Sequence, residues 1–442
     1  MLGLPRILYY KLRLDRNLHR DRQQILALRQ SKFRRLIKYA FKNSSFYHRF
    51  YSDHGLSYRD LSEVELSELP VINKQIMMDN FDELVIPGDI TRNRVEEFLE
   101  NSPSPETRLD DKYQVIHSSG STGRVGYYIY DQQAWDFIKA ISLRMFSHFG
   151  LKPVTYAFIG AADGHYAGVS LFLSPVNTVE EFFYGDYLVM DISRPLVDYI
   201  QPLNELKPGV LSGYASGIRL LTALQRENNL SINPAVVICG GEPLTPETRE
   251  VIKSTWDCRL VNYYAASESL MLGVEREEHQ GMYLFDDANY IEFREDDYLL
   301  TNLYNYTQPL IRYQMNDVLT PLEAGGKWPF SRVAEVIGRQ EDMLWFVNKQ
   351  GEYDFIHPIV IVEFYVKGLD KYQLCRVDDY SFIFRAVVSP GAIESRVVRQ
   401  IDRRLQEILS GKNMLNLNYR IEVVEDIERD PDSGKFRLII MD

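Results

Sequence analysis

Between residues 113 and 264 the chain alternates short apolar runs with segments whose apolar residues recur at helical spacing. Residues 113–117 and 127–130 read as short strands joined by a loop of small and hydroxyl residues. A helix over 132–149 follows, with Asp131 as its N-cap and Trp135, Ile138, Ile141, Met145 and Phe149 on one face. Strands at 154–160, 210–212, 235–239 and 259–262 then alternate with helices at 195–206, 215–227 and 246–256. That order predicts a parallel sheet covered by helices on both faces, with ligands held beyond the carboxyl ends of the strands.

Ahead of this core, residues 1–92 carry a helical pattern, broken at 69–74 by a turn into a short helix at 75–81. Residues 101–105 are a Ser/Pro loop leading to what reads as the central strand at 113–117. Beyond 283 the runs shorten, with strands at 290–293 and 298–301, which predicts a β-rich subdomain over about 283–338. Runs at 359–365, 381–388, 394–409 and 420–424 make a small α+β unit. The expected fold class is therefore α/β. A large N-terminal domain, 1–340, has mixed or parallel sheets covered by helices and the β-rich subdomain; a small α+β domain, 341–442, follows. At 442 residues more than one domain is expected.

The 45% hydrophobic and 25% charged fractions are those of an ordinary globular chain. No apolar run reaches the roughly 18 residues that cross a bilayer, and the N-terminus lacks a signal-peptide core. Integral membrane association is thus not expected, and a cytoplasmic location is. Cys239, Cys258 and Cys375 lie far apart, against a disulfide framework or a cysteine zinc site. The net charge is -12, but residues 1–50 hold 13 Lys and Arg against 2 Asp and Glu, leaving the remainder at -23. Nucleic acid is therefore not an expected partner of the acidic bulk. The basic stretch also carries Ile25, Leu26, Leu28, Phe33, Leu36, Ile37 and Phe41 at helical spacing. It reads as amphipathic helices packed on their own domain, with an anionic membrane surface or partner as the lesser reading.

The candidate chemistry lies in loops at strand ends. Ser118, Ser119, Gly120, Ser121, Thr122, Gly123 and Arg124 suit phosphate: two glycines let several N–H groups face one anion, hydroxyls add donors and Arg124 adds charge. A tight hairpin with a Ser/Gly tip is the plainer reading of the same residues. The spacing is not that of a Walker loop, which runs through Gly-Lys-Ser/Thr into a helix. Gly241, followed by Glu242 and Pro243, permits close approach of a planar ligand to the backbone. Glu268, beyond the next strand end, suits Mg²⁺ beside phosphates. Taken singly, these read more readily as a turn glycine and helix-capping carboxylates.

Together and in order, these blocks resemble the adenylate-forming superfamily, in the branch of phenylacetate-coenzyme A ligases and capsule-biosynthesis-type relatives. The resemblance spans nearly the whole chain: 33–40 with Phe46 and Tyr47, the hydroxyl loop, 164–168, 241–243, and the blocks after Pro309 and Gly338. It implies that 118–124 hold the β- and γ-phosphates of ATP, and that Gly241, Glu242 and Pro243 lie against adenine with Tyr264 stacked on it. It also implies that Glu268 binds Mg²⁺ and that Asp317 accepts both ribose hydroxyls. Arg339 is implied near ribose and phosphate. Glu341, where the family more often has Asp, is implied as the hinge of a mobile C-terminal lid that delivers Lys435. Lys435, Glu268 and Arg339 are the expected catalytic set. Two departures stand out: Ala265 replaces the usual Gly, and Arg124-Val125 the usual Lys-Pro, a planar fork in place of a point charge.

The activity implied is ATP-dependent activation of a small carboxylic acid as an acyl adenylate, followed by thioester formation with coenzyme A. Joining two anions calls for cation, supplied by Mg²⁺ at Glu268, by Arg124 and by Lys435. The acyl pocket is expected at His165, Tyr166, Gly168, Tyr214 and Ala215, whose aromatic and small side chains leave room for an aryl or arylacetic acid. Other outcomes stay open: adenylyl transfer or amide formation on the same fold, a non-catalytic nucleotide-binding homologue, and a peripheral membrane scaffold acting through 1–50. A homodimer is also left open.

Overall fold

The computed structural model describes residues 3–441 apart from 103, 119–124, 146–153, 174–183, 277–279, 296, 324, 338–343, 357–359, 362–363, 365 and 428–436. The basic N-terminal stretch forms α1 (Gly3–Asn17) and α2 (Arg22–Asn43). Asp21 starts α2 with a capping box: its carboxylate accepts from the Gln24 amide at 2.8 Å, and the Gln24 side chain accepts from the Asp21 amide. Ile25, Phe33, Leu36 and Ile37 are buried on one face of α2. Several of its cations also turn inward. Arg22 and Arg29 pair with Asp286, and Lys32 Nζ donates to the Asp287 carbonyl at 2.5 Å. The stretch thus packs on its own chain. Short helices α3 (Ser45–Asp53), α4 (Lys74–Asp79), α5 (Phe81–Leu84) and α6 (Arg92–Asn101) follow.

Strands β1 (Gln114–His117) and β2 (Tyr127–Tyr130) pair antiparallel as a separate two-stranded ribbon. Residues 113–117 are therefore not the central strand of the main sheet. Their partner is the strand nine residues further on, and the Ser118 amide donates to the Gly126 carbonyl at 2.8 Å where the ribbon closes. α7 (Gln132–Met145) follows directly.

The apolar runs beyond 154 form the parallel half of a nine-stranded sheet: β3 (Val154–Gly160), β4 (Tyr184–Asp191), β5 (Val210–Gly213), β6 (Val236–Gly240) and β7 (Arg259–Tyr264), in the order 4-3-5-6-7. β5 and β6 are buried along their whole length, which is why they read as unbroken apolar runs rather than alternating ones. α8 (Ala167–Leu173), α9 (Ile200–Leu206), α10 (Ala215–Arg226) and α11 (Pro246–Thr255) connect them. Beyond β7 the sheet turns antiparallel through β8 (Gly273–Arg276), β9 (Met282–Leu284), β14 (Arg332–Ile337) and β13 (Val318–Leu322).

The region expected to be β-rich holds a second sheet of β10 (Asn289–Phe293), β11 (Tyr298–Asn302) and β12 (Tyr313–Met315). Further on, β15 (Leu344–Val347) pairs with β16 (Tyr353–Ile356). β17 (Leu369–Asp378), β18 (Ser381–Val388), β19 (Asn418–Val423) and β20 (Ile439–Met441) form a sheet in the order 19-18-17-20. α12 (Glu394–Gly411) buries Val397, Ile401, Leu405 and Ile408, a stripe at helical spacing. β17, the longest of these strands, is not among the runs read from the sequence.

Candidate functional site

The carboxyl ends of β5, β6 and β7, together with the β1–β2 ribbon and the turn between β12 and β13, surround a cleft of about 1850 Å³. Ser118, Gly241, Glu242, Pro243, Tyr264, Glu268 and Asp317 all line it, although they are spread over 200 residues of sequence. Arg339, Glu341, Lys435 and residues 119–124 lie outside the described residues.

β5 ends at Gly213, whose φ of +145° and 1.9 Å separation between a built Cβ and the Ile159 carbonyl oxygen leave no space for a side chain. The chain turns there into Tyr214 and the first turn of α10. Gly241 (φ +78°) turns the chain just after β6, and a Cβ on it would sit 2.7 Å from Tyr214 Cε1. The aromatic ring resting on this glycine backbone is thus Tyr214. Glu242 Oε2 accepts from the Ser216 amide at 3.0 Å and from Ser216 Oγ at 2.5 Å, so its carboxylate caps α10. Burial raises the Glu242 pKa above the ordinary glutamate value, and the Ser216 donors oppose that rise.

Tyr264 closes β7. Its hydroxyl donates to Asp317 Oδ2 at 2.5 Å and lies 2.6 Å from Tyr298 Oη. Burial drives the Tyr264 pKa well up, so this phenol stays protonated as a donor. Asp317, just after β12, is half-buried, with one carboxylate oxygen held by Tyr264. Glu268 is buried. Its Oε1 accepts from Tyr128 Oη at 2.7 Å, Tyr128 Oη lies 3.1 Å from Tyr313 Oη, and the Glu268 carbonyl accepts from Asn302 at 3.1 Å. Tyr128 of β2 and Tyr313 of β12 therefore fix the carboxylate, and Asn302 of β11 fixes the main chain of the same residue. Among the described residues no group of three or more His, Cys, Asp or Glu side chains could hold a metal. The single carboxylate fits Mg²⁺ all the same, because that ion completes its shell with water and phosphate oxygens.

Ser118 stands at the root of the hydroxyl loop. Its Oγ accepts from the Gly126 amide at 3.0 Å and from Lys74 Nζ at 3.1 Å. Lys74 begins α4 and also lines the cleft, so it brings an ammonium to the base of the loop. Sequence reading placed Lys74 only in a turn. A contact spanning 44 residues leaves no local signal, and the same holds for the hydroxyls of Tyr128 and Tyr313.

The expected acyl-pocket residues divide. Gly168, Tyr214 and Ala215 line the cleft with Phe158 and Leu171. His165 and Tyr166 do not. His165 turns away, with Nε2 2.6 Å from the Ser102 carbonyl oxygen, and the Tyr166 ring packs edge-on against His117 at 4.5 Å. His117 reaches the cleft wall in their place. Burial, with His165 and Arg404 nearby, lowers its pKa to about 3, so it is a neutral side chain.

The fold is that of acyl-coenzyme A ligases of the adenylate-forming type. A crystal structure of 2-hydroxyisobutyryl-CoA ligase in the postadenylation state, in complex with 2-HIB-AMP, matches with a TM-score of 0.57 at 18% identity, covering 95% of this chain and 90% of that one. The same ligase with 2-HIB-AMP and CoA in the thioesterification state matches with a TM-score of 0.57 at 17% identity, covering 97% and 91%. In sequence the chain is a relative of CapK from Staphylococcus aureus, 22% identical over 95% of this chain and 90% of CapK. It is likewise a relative of the phenylacetate-coenzyme A ligase of Escherichia coli K12, 25% identical over 73% of this chain and 72% of the ligase. No family model matches.

Proposed function

We propose that the protein is an adenylate-forming acid–coenzyme A ligase that uses MgATP to activate a small carboxylic acid, of aryl or arylacetic type, and then passes the acyl group to the thiol of coenzyme A. The observation that carries this reading is the convergence of Ser118, Gly241, Tyr264, Glu268 and Asp317 on one cleft at the carboxyl ends of a parallel sheet. Relatives over most of the chain include phenylacetate-coenzyme A ligases, and the structural neighbours carry an acyl-AMP and CoA.

Asp317, oriented by Tyr264, accepts the ribose hydroxyls, and Gly241 with the Tyr214 ring forms the seat for the base. Ser118 and Lys74 stand at the root of the loop we assign to the terminal phosphates, where the ammonium offsets phosphate charge. Glu268 would hold Mg²⁺, which when bound neutralises charge on the phosphates. The acid occupies the space between Phe158, Gly168, Tyr214 and Ala215, where apolar and aromatic walls favour a ring. Its carboxylate oxygen attacks the α-phosphorus of ATP, and pyrophosphate leaves. The thiol sulfur then attacks the acyl carbon, and AMP departs with the oxygen. Lys435, from the segment 428–436, is assigned to the first step, and Glu341 to the hinge that moves it.

The test is a mass-spectrometric screen of the protein with ATP, Mg²⁺ and a panel of aryl, arylacetic and aliphatic acids, with and without coenzyme A. The expected result is an acyl-AMP that converts to a thioester when coenzyme A is present. An adenylate that is never consumed by coenzyme A would contradict the second step, and no adenylate with any acid would contradict the first.

A further inference from the structure

We infer that the outer face of α1 docks on an anionic lipid bilayer. Leu8, Tyr9 and Leu12 are 47%, 54% and 59% exposed, a concentration of large apolar surface within five residues of one helix. Arg13 and Arg16 continue the same stripe one turn on, and Arg20 follows just past the helix end; all three are exposed. Arg13 lies over the Tyr9 ring, 5.6 Å from its centre.

Asp15, seven residues after Leu8 and so on the same face, is the stripe's one carboxylate; it is half-buried and tied to Lys11 at 2.6 Å, and Asp21 caps α2. Other cations of the basic stretch do pair: Arg6 with Asp136 at 2.6 Å, Arg22 and Arg29 with Asp286. The arginines of α1 that face outward are therefore a selected subset of the basic stretch.

The inner face is anchored independently. Ile7 and Leu14 are buried, and Asn17 Nδ2 donates to Asp287 Oδ2 at 2.9 Å. The helix can thus present its outer face without unfolding. Leucine and tyrosine beside arginine, on the basic end of a chain whose remainder carries -23, match the interfacial region of an anionic membrane: side chains for the acyl boundary, cations for the headgroups. No helix is long and apolar enough to cross a membrane among the described residues, so the contact is peripheral.

The test is co-sedimentation of the full chain with vesicles of phosphatidylcholine alone or with about one third phosphatidylglycerol, at about 0.1 M and about 0.5 M salt. Binding is expected only to the anionic vesicles at low salt. Leu8→Ser with Leu12→Ser, and separately Arg13→Glu with Arg16→Glu, should each lower partition by about tenfold or more while leaving the melting temperature in place. Equal behaviour on neutral and anionic vesicles, or wild-type binding by both variants, would overturn the inference. So would loss in the arginine variant alone, which would remove Leu8 and Leu12 from the contact. A dimer in light scattering that only the leucine variant dissociates would assign the face to a second copy and overturn it too.

Discussion

Replacing Tyr128 with Phe removes one oxygen atom from beside a buried carboxylate. The hydroxyl donates to Glu268 Oε1 at 2.7 Å and lies 3.1 Å from Tyr313 Oη, and all three side chains are buried. A hydrogen bond to a charged group contributes about 1.5–3 kcal/mol, so a carboxylate that must be aimed at the nucleotide loses about 10- to 150-fold in its task when the bond is removed. Part of that cost falls on the resting fold, where a loss of about 1 kcal/mol lowers the melting temperature of a chain of this length by only about 1 °C. Pyrophosphate–ATP exchange measured across Mg²⁺ concentrations separates the two effects. Tyr128→Phe is expected to slow exchange by about tenfold or more and to raise the half-saturating Mg²⁺ concentration. Tyr313→Phe, which leaves the Tyr128–Glu268 bond in place, should lose less. Wild-type exchange and Mg²⁺ dependence in a folded Tyr128→Phe protein would refute the assignment of Glu268 as the carboxylate beside the phosphates.

Gly241→Ala must hold a Cβ at φ +78° and 2.7 Å from the Tyr214 ring; the backbone strain alone is about 1–2 kcal/mol, and calorimetry should find nucleotide binding weakened by about tenfold. Ser216→Ala tests the Glu242 cap through pH. The folded Glu242 pKa is raised, so the folded state holds that proton more tightly than the unfolded chain, and stability falls as pH rises from the unfolded glutamate value through the raised one. Removing the hydroxyl raises it further, so urea denaturation should find Ser216→Ala about 1 kcal/mol more costly at about pH 8 than at about pH 5; an equal cost at both would contradict the cap. Arg144 pairs with Asp287 at 2.7 Å, both fully buried, and its guanidinium lies over Phe285. Arg144→Ala should therefore lose about 3–5 kcal/mol in chemical denaturation, with little change in exchange by the fraction that remains folded.

β3, β5, β6 and β7 were legible because they carry their signal in a few consecutive apolar residues, as at Val236, Val237 and Ile238 of the wholly buried β6, whereas the edge strand β4 was not read. The antiparallel extension was not. β8 and β9 are four and three residues long and acquire their identity only by pairing with each other and with β7 and β14. The same physics divides the site. Gly241 and Glu268 follow strand ends and could be found as punctuation in the chain, and Asp317 came only with the family resemblance, whereas Lys74 meets Ser118 across 44 residues and Tyr128 meets Glu268 across 140. His165 and Tyr166 show the converse limit: a Gly-His-Tyr run reads as pocket lining, but His165 faces the Ser102 carbonyl, Tyr166 packs on His117, and His117 is the side chain at the cleft wall. Glu242 was readable as either a nucleotide contact or a cap; it makes two bonds to Ser216 as a cap and also lines the cleft.

The central claim is that this cleft joins a carboxylate to the α-phosphate of ATP. Acid-dependent exchange of labelled pyrophosphate into ATP tests it most directly, because it reports the reversal of that step and does not depend on the acceptor. Exchange that appears with at least one aryl or arylacetic acid and falls by orders of magnitude in Glu268→Ala and Lys435→Ala is the result expected. Exchange absent with every acid, or undiminished in both variants, would contradict it.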